Sequence, residues 1–122
     1  MSWAFSSDKP IYLQIAERIQ NRIICGEYSA GERIPSVREL AFEAGTNPNT
    51  VQKALTWLEG QSLISAISTA GRFVTSDKGV IAKAQSDMCN QIADFALAQF
   101  SALGLTATEA MQILKERIEV NQ

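Results

Sequence analysis

The sequence contains no histidine, which removes the commonest general base and the commonest metal ligand together. Its two cysteines, Cys25 and Cys89, stand far apart without the spacing of a metal knuckle or redox pair. That usage fits free thiols in a reducing cytoplasm, and both are expected to be buried and inert rather than redox sensors. No apolar run reaches the roughly eighteen residues a membrane span needs. The first eight residues lack the basic-then-apolar order of a signal peptide. There is no phosphate-cradling glycine loop and no clustered carboxylate pair, so neither an enzyme nor a cofactor or metal site is expected. Internal repeats and low-complexity segments are absent as well.

Excess positive charge is also missing, which at first counts against nucleic-acid binding. The net charge is −2, but it is unevenly spread. Residues 1–78 carry eight Lys/Arg and eight Asp/Glu, whereas residues 79–122 carry three against five. The stretch 45–58 holds one lysine and no acid. A local surface of that kind can meet phosphates although the whole chain cannot be called basic.

What is present is a packed-core composition, 46% hydrophobic, with strong helical patterning. Pro10 suits the opening of a first helix, with Ser7 or Asp8 as the cap before it. Ile11, Ile15, Ile19 and Ile23 make its apolar stripe, and Gly26 ends it. Tyr28 and Gly31 mark a turn, and Ile34 before Pro35 reads as a short extended link. Ser36 and Glu39 then form a capping box for a helix that buries Leu40 and Ala41 and stops at Gly45. Asn47 as cap and Pro48 as first residue start another helix running to Leu58 or Glu59, with Val51, Ala54, Leu55 and Leu58 facing inward. Residues 63–67 and 72–75 are strand-like, and the link 68–71 reads as a hairpin turn. Helix, helix-turn-helix and hairpin in that order give a winged helix.

Residues 76–79 read as a junction, dividing the chain into a winged helix-turn-helix domain, 1–78, and a helical tail, 79–122. The tail carries Ile81, Ala84, Met88, Ile92, Phe95, Phe100 and Leu103 at helical steps, an interruption at Gly104, and a second capping box at Thr106 and Glu109. Ala107, Ala110, Met111, Leu114 and Ile118 stripe the last helix. Two helices cannot bury both stripes within one chain, and a second copy is the simplest cover. The fold expected is mainly α with a small β-hairpin and a two-helix dimerisation segment.

The run Pro10, Ile11, Tyr12, Leu13, Gln14 and Ile15, the glycines Gly26 and Gly31, and residues 34–41 resemble the GntR family of bacterial winged-helix regulators. Residues 47–54, Leu58 with Glu59, Leu63 with Ile64, and residues 71–74 continue the likeness in order, so that it covers about residues 9–75. A tail of about 45 residues, in place of the family's large ligand-binding domain, is similar to the YtrA-like subfamily. The resemblance implies a cytoplasmic homodimer that binds double-stranded operator DNA, represses an operon including its own gene, and does not enter membranes. Two positions depart from the family pattern. Thr69 stands where a first wing glycine is usual, which predicts a differently shaped turn, and Leu55 replaces a frequent core tyrosine.

On that likeness Arg38 is a DNA contact, with an ion pair to Glu39 or Glu43 as the alternative. Ser36 contacts phosphate, caps its helix, or does both. Asn47, Asn49, Thr50, Gln52 and Lys53 lie at the start of the recognition helix, whose first residues reach base edges in this motif. Amides suit adenine, threonine suits a thymine methyl or phosphate, and lysine suits phosphate or guanine. For Asn47 a pure N-cap is the first reading, with a base contact as the other. Gly71 and Arg72 form the wing tip, for minor groove or phosphate, and Lys9 is a candidate backbone contact. Trp3, Phe5 and Trp57 are expected to pack on the fold. Ile81, Ala84, Met88, Ile92, Phe95, Phe100, Met111, Leu114 and Ile118 are the candidate dimer interface; a small-molecule effector pocket between subunits, lined by Phe95, Phe100 and Met111, is the other use of that face. The competing function is a winged helix that binds a protein partner without reading DNA, an alternative that the near-neutral charge leaves open.

Overall fold

The structure is a computed structural model and describes residues 2–122. Among the described residues five α-helices and one hairpin follow in the order α1 (Ile11–Ile24), α2 (Val37–Ala44), α3 (Pro48–Gly60), β1 (Ile64–Ala66), β2 (Arg72–Val74), α4 (Lys78–Ala102) and α5 (Ala107–Val120). Packing divides the chain after Ala84, within α4, into a first unit and a second, Gln85–Gln122. No helix among the described residues is long and apolar enough to cross a membrane.

In the first unit α1 lies against α3, and α3 also packs on α2 and β1. Ile15, Ile19 and Ile23 of α1, Leu40 and Ala44 of α2, and Val51, Ala54, Leu55 and Leu58 of α3 meet with Leu63, Ile64 and Val74 in one buried core. Each large side chain enclosed there contributes about 1.5–3 kcal/mol of transfer free energy. Ile11, the first member of the α1 stripe, is 44% exposed. A four-residue step overshoots a 3.6-residue turn by about 40°, so a strict four-residue stripe drifts off the core at its end.

The caps show where local chemistry governs. Ser36 Oγ accepts from the Glu39 backbone N–H at 3.1 Å, and Glu39 Oε1 accepts from that of Ser36 at 3.1 Å. Gly45 closes α2 in the left-handed region at φ 70°, where a side chain would be strained. Helix α1 differs from expectation: neither Ser7 nor Asp8 caps it. Pro10 holds the N-cap position in extended conformation without a side-chain bond. Gln14 folds back instead, its Nε2 donating to the carbonyls of Ser6 at 2.9 Å and Lys9 at 2.7 Å. That clasp draws the preceding arm across α1. Helix α4 begins two residues before the expected Val80, since Asp77 Oδ1 accepts from the Gly79 N–H at 2.9 Å and initiates the helix inside the supposed junction.

Strands β1 and β2 pair antiparallel, with Ile64 opposite Val74 and Ala66 opposite Arg72. The extended link before α2 lies along the other edge of β2, bridging Arg33 to Phe73; Ile34 N–H donates to Arg72 O at 2.9 Å and Val74 N–H to Glu32 O at 2.8 Å. The hairpin turn is a single 3-10 turn, Ser68–Ala70, followed by Gly71 at φ 107°.

Trp3, Phe5 and Trp57 pack on the core as expected. The cysteines do not follow expectation, for both are exposed. Cys25 is the C-cap residue of α1, where the chain turns out to solvent, and Cys89 lies on α4, which buries no residue fully. In the second unit, the capping box of Thr106 and Glu109 starts α5, whose Ala110 is enclosed. Of the other stripe residues, Ile92, Phe95, Met111 and Ile118 stay open in the single chain, 60–70% exposed.

Candidate nucleic-acid interface

The two helix N-termini and the hairpin carry the candidate site, and a knot of side chains fixes the first of them. Arg22 of α1 reaches across to α2, where its guanidinium donates to both carboxylate oxygens of Glu43, to Tyr28 Oη at 2.8 Å, and pairs with Glu27 at 3.3 Å. The Trp3 indole N–H donates to the same Glu43 at 3.0 Å, and Arg18 and Arg22 each lie 5.0 Å from the Trp3 ring centre. Donation from Arg22 holds the Glu43 carboxyl below its usual range and raises the guanidinium above its own, while burial pushes the Tyr28 hydroxyl up. The knot clamps the arm, α1 and α2 together.

At the start of α2 so positioned, Arg38 is exposed and makes neither an ion pair nor a hydrogen bond among the described residues. The alternative pairing with Glu39 or Glu43 does not form: Glu39 bonds the Ser36 backbone and Glu43 faces Arg22. Ser36 is exposed with its hydroxyl engaged as the cap. At the start of α3, Asn47 caps, its Oδ1 accepting from the Asn49 N–H at 2.7 Å. Asn49 and Gln52 present exposed side-chain amides, and Thr50 is half-buried beside them. Lys53 leans back over the Tyr12 ring of α1, 4.2 Å from its centre, rather than toward the helix start.

Two predicted contacts are already paired. Lys9 meets Glu17 at 2.9 Å, and Arg72 meets Glu59, at the end of α3, at 2.7 Å. Gly71 is half-buried at the turn, beneath the side chain of Arg33. Arg33 escaped the sequence reading; its Nε donates to the Ala70 carbonyl at 3.0 Å. Running the extended link beside the hairpin as a third strand would have brought it there.

The tail residues separate into two groups. Ile81 and Ala84 pack half-buried on the first unit's core, and Met88 and Phe100 are half-buried. Ile92, Phe95, Met111, Leu114 and Ile118 are exposed.

Comparison with known proteins gives this arrangement a family. The model for bacterial regulatory proteins of the gntR family matches residues 11–74. An uncharacterised HTH-type transcriptional regulator of Bacillus subtilis, YhcF, is 32% identical over 91% of this chain and 92% of its own length. The transcriptional repressor YtrA of the same organism is 37% identical over 58% of this chain and 55% of its own. Among solved structures, a GntR-family regulator from Listeria monocytogenes superposes with a TM-score of 0.86 at 34% identity, covering 92% of this chain and 98% of that one. The DNA-binding domain of AraR in complex with an operator superposes with a TM-score of 0.55 at 29% identity, over 62% of this chain and 92% of that one.

Proposed function

This chain belongs to the GntR family of helix-turn-helix transcription regulators, and we propose that it is a homodimeric repressor of an operon containing its own gene. In this reading two heads bind the half-sites of a palindromic operator. The carrying observation is Arg38, exposed and without an acidic partner at the start of α2. A guanidinium left free there is matched to a backbone phosphate or a guanine edge. The amides of Asn49 and Gln52 supply adenine-directed donors and acceptors, with Thr50 beside them. Ser36 and Asn47 act first as caps, whose helix N-termini favour phosphate.

Dimerisation rests on the apolar stripes of α4 and α5. Large side chains as open as Phe95 and Met111, 66% and 70% exposed, form a patch that water disfavours. A second copy offers the same stripes in return, and a two-fold dimer matches a palindrome. The name of the relative YtrA supports repression, and the operator complex of AraR supports DNA as the ligand.

The test is footprinting of DNA upstream of the chain's own gene, followed by affinity measurements on the protected segment. Arg38→Ala is expected to weaken binding by about 10- to 100-fold, the value of one good base or phosphate contact. Unchanged affinity would remove Arg38 from the interface. Binding that ignores salt would favour a protein-assembly role, the reading that the zero net charge of residues 1–78 leaves open.

A further inference from the structure

The wing has a cation that is free to meet DNA, and it is not the one the hairpin sequence supplies. Residues 68–71 carry no charge, and Arg72, the basic residue of the hairpin, is tied to Glu59 at 2.7 Å with both side chains one-third exposed or less. Arg33 reaches the wing tip from the neighbouring segment. Its backbone bridges to Phe73 of β2, and its Nε donates to Ala70 O at 3.0 Å. No acid stands within ion-pairing distance among the described residues, and the two Nη groups have no hydrogen-bond partner. Glu39, the acid that feels its field, holds the Ser36 backbone. Gly71 makes room for this arrangement: a Cβ there would stand 2.8 Å from Arg33 Nε, and its φ of 107° already disfavours a side chain.

We propose that Arg33 is the phosphate-binding cation of the wing, with Arg72 serving to brace the hairpin on α3. The inference rests on the DNA-binding reading above. One nitrogen anchored to the wing tip fixes the guanidinium plane, so its two free Nη groups form a fork of the kind that suits a phosphate. The ligand is the sugar-phosphate backbone beside the wing. No base specificity follows from it.

The test uses the full chain and a duplex selected by it from a random-sequence pool, with affinity followed from 50 to 200 mM potassium chloride. Arg33→Gln keeps a donor but not the charge, and Arg33→Lys keeps the charge. Each phosphate contact contributes about 0.9 to the slope of log affinity against log salt. Over that range Arg33→Gln is therefore expected to shrink the affinity ratio about 3.5-fold for one head, or about 12-fold for a two-headed complex. Arg33→Lys retains the wild-type slope, as does the charge-balanced double variant Glu59→Gln, Arg72→Gln. The proposal is overturned by a wild-type slope in Arg33→Gln, by loss of slope in Arg33→Lys as large as in Arg33→Gln, or by loss of slope in the double variant. Failure of the unaltered chain to select any duplex would instead overturn the regulatory reading, and this inference with it.

Discussion

Arg22→Ala removes the centre of the knot that clamps the arm, α1 and α2. Its side chain is 17% exposed, and its guanidinium carries bonds to Glu43 and Tyr28, an ion pair to Glu27 and the face of Trp3. A hydrogen bond to a charged group contributes about 1.5–3 kcal/mol, and a cation–π contact in a half-open site about 1 kcal/mol. Two considerations hold the total down. Glu43 is 42% exposed, so water screens the pair, and it keeps the Trp3 indole donor when Arg22 is gone. The net expected loss is about 2–3 kcal/mol, and at about 4–8 °C per kcal/mol for a folding unit of this size the melting temperature falls by about 10–20 °C. Arg22→Lys keeps the charge and gives up the fork, and about half that fall is expected. Circular-dichroism melts at pH 7 and fixed protein concentration read the effect. A fall below about 3 °C for Arg22→Ala would refute the knot as a structural clamp.

The same knot predicts acid sensitivity. The Glu43 carboxyl is depressed from 4.5 by the Arg22 bond, so its stabilising contribution is complete above that value and is lost as pH falls through the lower, folded one. Melting temperatures followed from pH 7 to pH 3 should drop on the acid side, and Glu43→Gln should lie lower at pH 7 with a shallower acid decline; parallel curves would refute the assignment. In the tail, Ile92→Glu together with Phe95→Glu places two charges on the exposed stripe, and sedimentation should show a monomer at concentrations where the unaltered chain is a dimer. A dimer that survives both charges would move the interface elsewhere.

Features closed by neighbours in sequence were legible before the structure. Ser36 with Glu39, Thr106 with Glu109, Gly45 and the pairing of Asn47 with Pro48 each bring donor, acceptor and φ preference within three residues, so spacing alone predicts the bond. The inward stripe of α3 was read for the same reason, since Val51, Ala54, Leu55 and Leu58 are all buried. Contacts between residues distant in the chain were not. The Arg22–Glu43 and Arg33–Ala70 bonds span 21 and 37 residues, and no local pattern marks them. Arg72 follows the hairpin turn in sequence, yet its partner Glu59 lies on another element. The cysteines were misjudged because their type prefers burial, whereas a helix C-cap and an open helix face leave these two exposed.

These long-range pairings resolve the difficulty posed by charge. The basic residues of the first 78 are Lys9, Arg18, Arg22, Arg33, Arg38, Lys53, Arg72 and Lys78, against as many acids. Lys9, Arg22 and Arg72 are paired with carboxylates, Arg18 lies over Trp3 and Lys53 over Tyr12. The acids Glu17, Glu43 and Glu59 are thereby paired along α1, in the arm-side knot and at the end of α3, while Glu39, the acid in the first turn of α2, is held by the Ser36 backbone N–H rather than by a cation. Arg33 at the wing tip and Arg38 at the start of α2 remain without a carboxylate partner among the described residues, so a head with zero net charge still offers positive points on the proposed interface. Few points also mean few displaced counterions, and hence a shallow salt dependence and weak holding by one head. In the proposed dimer, two heads joined through the tail would restore affinity by making the second contact intramolecular. If the proposed dimer is the DNA-binding form, charges placed on the exposed stripe of α4 and α5 should weaken operator binding as much as loss of Arg38 does.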